Sequence, residues 1–519
     1  MDEDIHEECG IAAVYIPENG DGSNRAVFYL YKLLLNLQHR GQLAAGITTY
    51  NSKRLQMLDT YKNIGSVNEV FKTSKRMRSL ELFRKFAGNK GIGHVRYATF
   101  GKDERAYAQP FERKHGRLWK WFAFAFNGNI ANYDELKSKL LAKKDYHLTL
   151  EVDTEMIMHY LSKELIGDKK PDLVKVFSNL AKQFDGAYNI VFVNAYGDMV
   201  IARDPYGFRP LCYGYKDDML LAASESNALL NCGIDKQDIK DVEPGMMILI
   251  QDNKVSFKRY ASSKRKAHCM FEWVYFSSVA STLDSRSVYV TRTNLGRELA
   301  KLETEKVNEE EYVVVPVPDT AKAAGDAYAY ALGLPSKEGL IRNRFVGRTF
   351  IEGKSREEKV QTKYTALRAI LEGKKVMLVD DSIVRGTTLK EIVHYIKKKG
   401  GAKEVHVRVS CPPVVGPCLY GIDMSTVSEL LVPRFLKDEN RRETDREAME
   451  RIAKDVGADS LIYQTIPGLV RSIGLPASDL CMACINGDYP TLAGKRWYKH
   501  SLESFKKGIK EDRRVYECG

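Results

Sequence analysis

Asp380 and Asp381 stand side by side, where like charges repel, in the stretch VMLVDDSIVRGTT that spans residues 376–388. The apolar run 376–379 before them reads as a strand buried on both faces, and the carboxyl end of such a strand is where open α/β sheets bind ligands. After them, the loop 382–386 feeds a helix expected to begin near Thr387, whose free N–H groups and positive dipole end favour an anion. Gly386 lets the backbone approach a ligand closely, and Ser382, Thr387 and Thr388 add hydroxyl donors. Two carboxylates beside an anion site suit a ligand that also carries a diol, and they can hold a hard cation such as Mg²⁺. A second stretch, VVVPVPDTAKAAGDA, repeats the strand–loop–helix plan, and as a bare helix start it serves equally as a cap or as a ligand contact. Two thiol features stand apart from these loops: Cys9, at the start of a predicted strand in EECGIAAVY, and the CxxC pair Cys481 and Cys484 in CMAC.

The elements that must position these residues fall into two groups. Residues up to about 261 contain short β-type segments, among them WFAFAFNGNI, AYNIVFV and MMILIQD, which read as stacked antiparallel sheets covered by helices from AVFYLYKLLLNLQHR and DTEMIMHYLSKEL. Beyond them, EYVVVPVP, KKVMLVD and VHVRVSCPP alternate with helical stretches, the pattern of βαβ units around a parallel sheet. The polar, basic SSKRKAH at 262–268 marks a linker between the two. A chain of 519 residues exceeds one ordinary core, so two large domains are expected.

Composition excludes several classes. With 44% hydrophobic and 29% charged residues, and no apolar run of membrane-spanning length, a globular cytoplasmic protein without membrane contact is expected. The acidic start MDEDIHEE is no secretory signal. The net charge of +12 sits in runs such as KTSKRMRSLELFRK and reads as a solvated basic surface with pockets for anionic substrates. Nucleic acid is not expected, because no helix-turn-helix, finger or aromatic RNA-binding signature accompanies the charge. Nine cysteines, an odd number in a reducing compartment, favour metal ligation or catalysis over disulfides.

The 376–388 stretch resembles the phosphoribosyl pyrophosphate signature of type I phosphoribosyltransferases, and GIGHVRYAT, FNGNI, LQHRGQLAAGI, DTEM and RDPYGFRPL resemble, in order and spacing, the glutaminase domain of class II glutamine amidotransferases. Together with CMFEWVYFSS, GLIRNRFVGRTF, PCLYGIDM and DLCMACINGDYP, they make nearly the whole chain similar to the family of glutamine phosphoribosylpyrophosphate amidotransferases. The resemblance implies an α+β N-terminal nucleophile (Ntn) hydrolase αββα sandwich followed by an α/β type I phosphoribosyltransferase domain. Its boundaries are a propeptide 1–8, a glutaminase domain 9–261, a linker 262–275, a phosphoribosyltransferase domain 276–465 and a C-terminal segment 466–519 carrying the CxxC pair. It implies the reaction of glutamine, phosphoribosyl pyrophosphate and water to 5-phosphoribosylamine, glutamate and pyrophosphate, the first committed step of purine biosynthesis. Cys9 is then the nucleophile, and chemistry asks for its exposure: an α-amine with pKa about 7.7–8.0 can take a proton from a thiol near about 8.5, whereas an amide nitrogen cannot. By the same resemblance Asn127 and the Gly128 N–H form the oxyanion hole, Arg96 pairs with the glutamine carboxylate, Asp153 holds its ammonium group, and Arg40 supports the Cys9 loop. Phosphoribosyl pyrophosphate is expected at Pro318, Asp319 and Thr320, at Lys363, and at Asp380, Asp381, Ser382, Arg385, Gly386, Thr387 and Thr388, with Mg²⁺ at Asp380 and Asp381.

Cys269 and Cys418 match the positions that complete a four-thiolate site with Cys481 and Cys484 in the iron–sulfur subgroup of the family, with Cys411 as an alternative to Cys418. Spacing fits a [4Fe-4S] cluster or zinc equally; the resemblance favours the cluster, in a structural role. Cys212, Cys232 and Cys518 read as plain thiols. Purine nucleotides as feedback inhibitors and a homotetramer are further implications. The chain departs from the family pattern at Leu43, Ala44, Phe126 and Gln361, the last standing where the family has an arginine near Lys363, with Arg342, Arg344 and Arg348 upstream. That change leaves open a degenerate paralog that senses phosphoribosyl pyrophosphate or nucleotides, and a glutaminase feeding another sugar acceptor.

Overall fold

The computed structural model describes residues 9–18, 24–97, 104–262, 265–343, 363–424, 426–436 and 446–509. The strand Gly10–Tyr15 is buried along its whole length, so both of its faces must meet apolar partners. Ile11, Ala13 and Tyr15 point into a core shared by two facing sheets, while Ala12 and Val14 point outward to Leu30, Leu33 and Leu34 of the helix Ala26–Asn36. The FAFAF run of the strand Phe122–Ile130 divides in the same way. Its small residues Ala123 and Ala125 face the sheet-to-sheet core, and Phe122, Phe124 and Phe126 face the helices Asp153–Glu164 and Leu173–Gln183. Strict alternation on a strand therefore builds two cores at once, which is the packing logic of an αββα sandwich. One sheet has seven strands with Gly10–Tyr15 inside it, the other six, and the pairings within both are antiparallel.

The second unit is a four-stranded parallel sheet of Tyr312–Pro316, Lys375–Asp380, Glu404–Val409 and Ser460–Tyr463. Val376 and Leu378 pack on one face with Leu389, Ile392 and Ile396 of the helix Thr387–Lys398. Met377 and Val379 pack on the other with Tyr328 and Ala329 of the helix Lys322–Leu332, so the continuous apolar run is a strand covered on both faces. The helix after the paired acids begins at Thr387, where the sequence predicts it.

The stretch between the two units is not an exposed tether. His268–Cys269 pairs in parallel with Leu480–Cys481, and Met270, Phe271, Trp273 and Val274 are buried in the core of the second unit. The units also meet directly: Arg209 donates through Nε and Nη2 to the Tyr420 carbonyl at 3.1 and 2.7 Å, Asn129 donates to the Leu419 carbonyl at 3.0 Å, and the rings of Phe208 and Tyr420 stack at 4.2 Å. The C-terminal helix Leu492–Lys506 returns to the sandwich, where Trp497 donates to the Ala131 carbonyl at 3.0 Å and Asp185 accepts from the Ala493 N–H at 3.0 Å. Among the described residues no helix is long and apolar enough to cross a membrane.

Candidate active sites and their connection

The loops after the first two parallel strands enclose a cavity of about 490 Å³. It is lined by Pro318, Asp319 and Thr320 from one loop, by Asp380, Asp381, Ser382, Arg385, Gly386 and Thr388 from the other, and by Lys363 and Arg342. Asp381 is buried, and its two oxygens accept from the hydroxyls of Thr320 and, at 2.7 Å, Ser382. Burial pushes its pKa up, against those two hydrogen bonds and the charge of Arg292. A carboxylate held this way is poised to gain from a donor or cation entering the cavity, because the protein's own donors leave its burial only partly offset. Arg292, also buried, is itself fixed by the carbonyls of Trp273, Tyr275 and Ser277 at 2.8–2.9 Å. Gly386 has φ +79°, a left-handed conformation that turns the loop into the helix, and a Cβ there would lie 2.7 Å from Leu431 Cδ2. The Thr387 hydroxyl oxygen is buried without a hydrogen-bond partner among the described residues, and Thr387, unlike Gly386 and Thr388 on either side, does not line the cavity. Arg385 is engaged at the rim with Glu429, its Nε donating at 2.8 Å, and Arg342 lies 3.6 Å from Asp319. Arg344, Arg348, Gln361, Cys518 and residues 1–8 lie outside the described residues.

Cys9 sits at the mouth of the sandwich, half-buried, immediately before the strand Gly10–Tyr15, and its Sγ lies 3.8 Å from the Tyr97 carbonyl. Arg96, next to Tyr97, ends the strand Lys90–Arg96; it is buried, and its guanidinium lies over the Tyr107 ring at 5.6 Å. Ser224 joins the Cys9 strand to the predicted oxyanion donor, because its hydroxyl accepts from the Ile11 N–H at 3.0 Å and from Asn127 Nδ2 at 3.4 Å. Gly128 follows with φ +146°, and an added Cβ would lie 2.0 Å from the Ala187 carbonyl oxygen, so no other residue fits. His94 donates from Nε2 to the Phe126 carbonyl at 3.1 Å, bracing the backbone just before Asn127. Burial, aided by Arg96, pushes the His94 pKa down to about 3. Asp153 opens the helix Asp153–Glu164 on the outer layer, half-buried, with the Thr154 hydroxyl donating to it at 3.4 Å.

Between the two sites lies a group of buried charges that sequence reading missed, Arg40 excepted. Arg40 Nε donates to the Cys9 carbonyl at 3.3 Å, its Nη1 to Glu225 at 2.6 Å and its Nη2 to Glu272 at 2.8 Å. Glu272 also lies 3.4 Å from Arg209 and accepts from Ser277 at 2.5 Å. Glu225 is fully buried; burial works against its charge but is overcome by His39 and Arg40, and its pKa is driven well below the usual carboxylate range. For Glu272 the same contest between burial and Arg40 also ends in a lowered pKa. Glu272 left one sequence signal, a single acid inside the aromatic run CMFEWVYF, where a charge has to be paired if buried. Ser224 and Glu225 left none beyond a polar triplet after an apolar strand, which reads as an ordinary helix cap.

Cys269, Cys418, Cys481 and Cys484 line one small cavity with Tyr420 and Tyr489. The strand pairing sets Cys269 opposite Cys481, and the Cys418 sulfur accepts from the Tyr420 N–H at 3.4 Å. Burial raises the Cys484 thiol pKa, and the nearby Cys418, Cys269 and Cys481 raise it further. Among the described residues, however, no group of three or more side chains closes on a single point as metal ligands do. Four soft donors around one apolar cavity are a donor set of the kind that both iron–sulfur clusters and zinc take. Cys212 and Cys232 are buried elsewhere, in the core beneath the helix Ala26–Asn36.

An αββα sandwich with a thiol at the head of its central strand, joined to a parallel sheet whose strand-end loops frame a polar cavity, defines an Ntn-type glutamine amidotransferase coupled to a type I phosphoribosyltransferase. Family models agree on both halves: residues 94–231 match a glutamine amidotransferase domain and residues 291–417 a phosphoribosyl transferase domain. Relatives similar over nearly the whole chain are the amidophosphoribosyltransferases of Methanothermobacter thermautotrophicus (37% identical, 94% of this chain, 95% of the relative) and Methanocaldococcus jannaschii (39%, 93% and 98%). The solved glutamine phosphoribosylpyrophosphate amidotransferase of B. subtilis, complexed with ADP and GMP, is similar at TM-score 0.80 and 33% identity, covering 98% of this chain and 100% of that one. The chain belongs to the amidophosphoribosyltransferase family.

Proposed function

We propose that the protein transfers the amide nitrogen of glutamine to C1 of phosphoribosyl pyrophosphate, releasing glutamate and pyrophosphate and forming 5-phosphoribosylamine for purine synthesis. The observation that carries this reading is the cavity in which Thr320 and Asp381, from two strand-end loops, are hydrogen-bonded in the same chain as a sandwich headed by Cys9. Residues 1–8 are removed, and the freed α-amine of Cys9 takes the proton from its own thiol. The thiolate attacks the glutamine side-chain amide, Asn127 Nδ2 and the Gly128 N–H receive the developing oxyanion, and Arg96 and Asp153 hold the substrate's carboxylate and ammonium groups. Ammonia leaves, and water hydrolyses the thioester to glutamate.

In the second cavity Asp380 and Asp381 accept from the ribose hydroxyls, and the 382–388 loop with the start of its helix binds the 5-phosphate. The loop 318–320, Arg342 and Lys363 meet the pyrophosphate. Asp380 and Asp381 would hold a Mg²⁺ ion, which would supply positive charge to the leaving group. Cys269, Cys418, Cys481 and Cys484 would hold a [4Fe-4S] cluster, which would tie the C-terminal segment to the stretch between the units. Regulation by purine nucleotides, a homotetrameric assembly and a cytoplasmic location complete the reading; the nucleotides are suggested by the ADP and GMP in the B. subtilis relative.

Two variants test the division of labour. Cys9→Ala loses glutamine-dependent pyrophosphate release while keeping release driven by added ammonium; Asp381→Ala loses both and still hydrolyses glutamine. Glutamine-dependent release that survives in Cys9→Ala contradicts the proposal.

A further inference from the structure

Arg385 belongs to the loop that frames the sugar-phosphate cavity, yet its guanidinium is committed to a segment that braces that loop. Its Nε donates to Glu429 Oε2 at 2.8 Å, its Nη2 donates to the same oxygen, and Nη2 also reaches the Asp423 carbonyl at 3.3 Å. The other Glu429 oxygen accepts from the Thr426 N–H at 2.8 Å, so the acid is tied to its own turn as well. On either side of Arg385 the same segment makes further contacts. The Leu431 N–H donates to the Val384 carbonyl at 2.8 Å, and the Leu431 side chain lies so close to Gly386 that an added Cβ would sit 2.7 Å from its Cδ2. Three consecutive residues of the loop, Val384, Arg385 and Gly386, are thus each held by one neighbouring stretch of chain. The side chains of Arg385 and Glu429 are only 17% and 21% exposed, so the pair is largely withdrawn from water. An arginine that swung away to meet a phosphate would leave Glu429 charged and unpaired there, which costs far more than parting two surface charges. The free N–H groups at the start of the helix Thr387–Lys398, with Thr388 lining the cavity, can receive a phosphate without it.

We propose that Glu429 is a positioning residue for the 5-phosphate of the activated sugar: through Arg385 it holds the 382–386 loop and the start of the following helix in the shape that receives the phosphate. Arg385 then acts as a strut and not as the phosphate's counter-charge. The inference rests on the proposed function and deepens it at the 5-phosphate end of the cavity. A planar guanidinium suits this task, because two parallel donors fix direction as well as distance, whereas a point charge fixes only distance.

The test follows pyrophosphate release driven by saturating added ammonium, so that glutamine chemistry plays no part, with phosphoribosyl pyrophosphate varied in the presence of Mg²⁺. Glu429→Gln, which leaves Arg385 without a charged partner, raises KM about tenfold, the worth of one hydrogen bond to a charged group. It changes kcat little, because the 5-phosphate is remote from the reacting C1 and its binding is shared by ground and transition states. Arg385→Lys keeps the charge, loses the fork and raises KM alike. In the double variant Arg385→Met/Glu429→Leu, KM rises no further than in either single variant, since the two side chains act as one unit. Ribose 5-phosphate, used as a competitor, loses affinity for Glu429→Gln by the same factor, while inorganic pyrophosphate binds as before. That contrast places the change at one end of the cavity, which a general loss of folding cannot do. A KM in Glu429→Gln equal to or below that of the unaltered protein overturns the inference, and so does a loss of affinity for pyrophosphate as large as that for ribose 5-phosphate. Absence of ammonium-driven pyrophosphate release from the unaltered protein overturns the underlying function instead, which separates the two failures.

Discussion

At the residue scale, His94 shows how chemistry and stability are set by the same contact. It is buried, donates to the Phe126 carbonyl and so braces the backbone at Asn127, and burial drives its pKa from 6.5 down to about 3. The sign follows from linkage: as pH falls below 6.5 the unfolded chain takes up a proton that the folded chain refuses, so the contribution of His94 is whole above that pH and erodes with acid. Between about pH 7.5 and about pH 5 it removes about 2 kcal/mol. Thermal unfolding at those two values checks this: His94→Gln, which keeps a donor for Phe126 but cannot titrate, loses less stability on acidification than the unaltered protein. Legibility at this scale was uneven. The Asp380–Asp381 loop could be read from its own residues, whereas Cys9 and Asn127 were singled out only through the resemblance, because a lone cysteine or asparagine beside a strand carries no local signal. The buried pairing of Glu225 and Glu272 was not legible, because their partner Arg40 lies 185 and 232 residues away from them.

At the scale of elements, two glycines separate tolerance from prohibition. Gly386 turns a strand-end loop into the helix Thr387–Lys398 with φ +79°, and the atoms an added Cβ would meet belong to the side chain of Leu431 rather than to backbone. Gly386→Ala costs about 1–2 kcal/mol for the left-handed backbone and raises KM for phosphoribosyl pyrophosphate, with glutamine hydrolysis little changed. Gly128→Ala drives a Cβ to 2.0 Å from a backbone oxygen of the neighbouring strand, which has no way to yield. Its expected outcome is loss of the folded sandwich, or of glutamine hydrolysis where folding survives, read by circular dichroism and glutamate release. The elements themselves were largely legible: the FAFAF alternation and the VMLV run announce, respectively, a strand between two cores and a strand under two helix layers. The sequence also marked SSKRKAH as a linker by its polarity, yet apolar residues just after it, from Met270 to Val274, pack into a core, a role that local polarity cannot reveal.

At the scale of the whole molecule, the chain closes on itself. The pairing of His268–Cys269 with Leu480–Cys481 and the return of the helix Leu492–Lys506 to the sandwich bring the C-terminal segment across both units. If the four thiols around their common cavity hold an iron–sulfur cluster, Cys481→Ser bleaches the broad visible absorbance of anaerobically purified protein, lowers its unfolding temperature and exposes the C-terminal helix to protease; stoichiometric zinc, or no change on substitution, contradicts that assignment. The central claim concerns the two chemistries rather than the metal: one chain frees nitrogen at Cys9 and consumes it at Asp380 and Asp381. Its most direct test is simultaneous measurement of glutamate and pyrophosphate from the unaltered protein given glutamine, phosphoribosyl pyrophosphate and Mg²⁺. The account predicts equal amounts of both throughout the reaction; glutamate accumulating without pyrophosphate, or neither appearing, contradicts it.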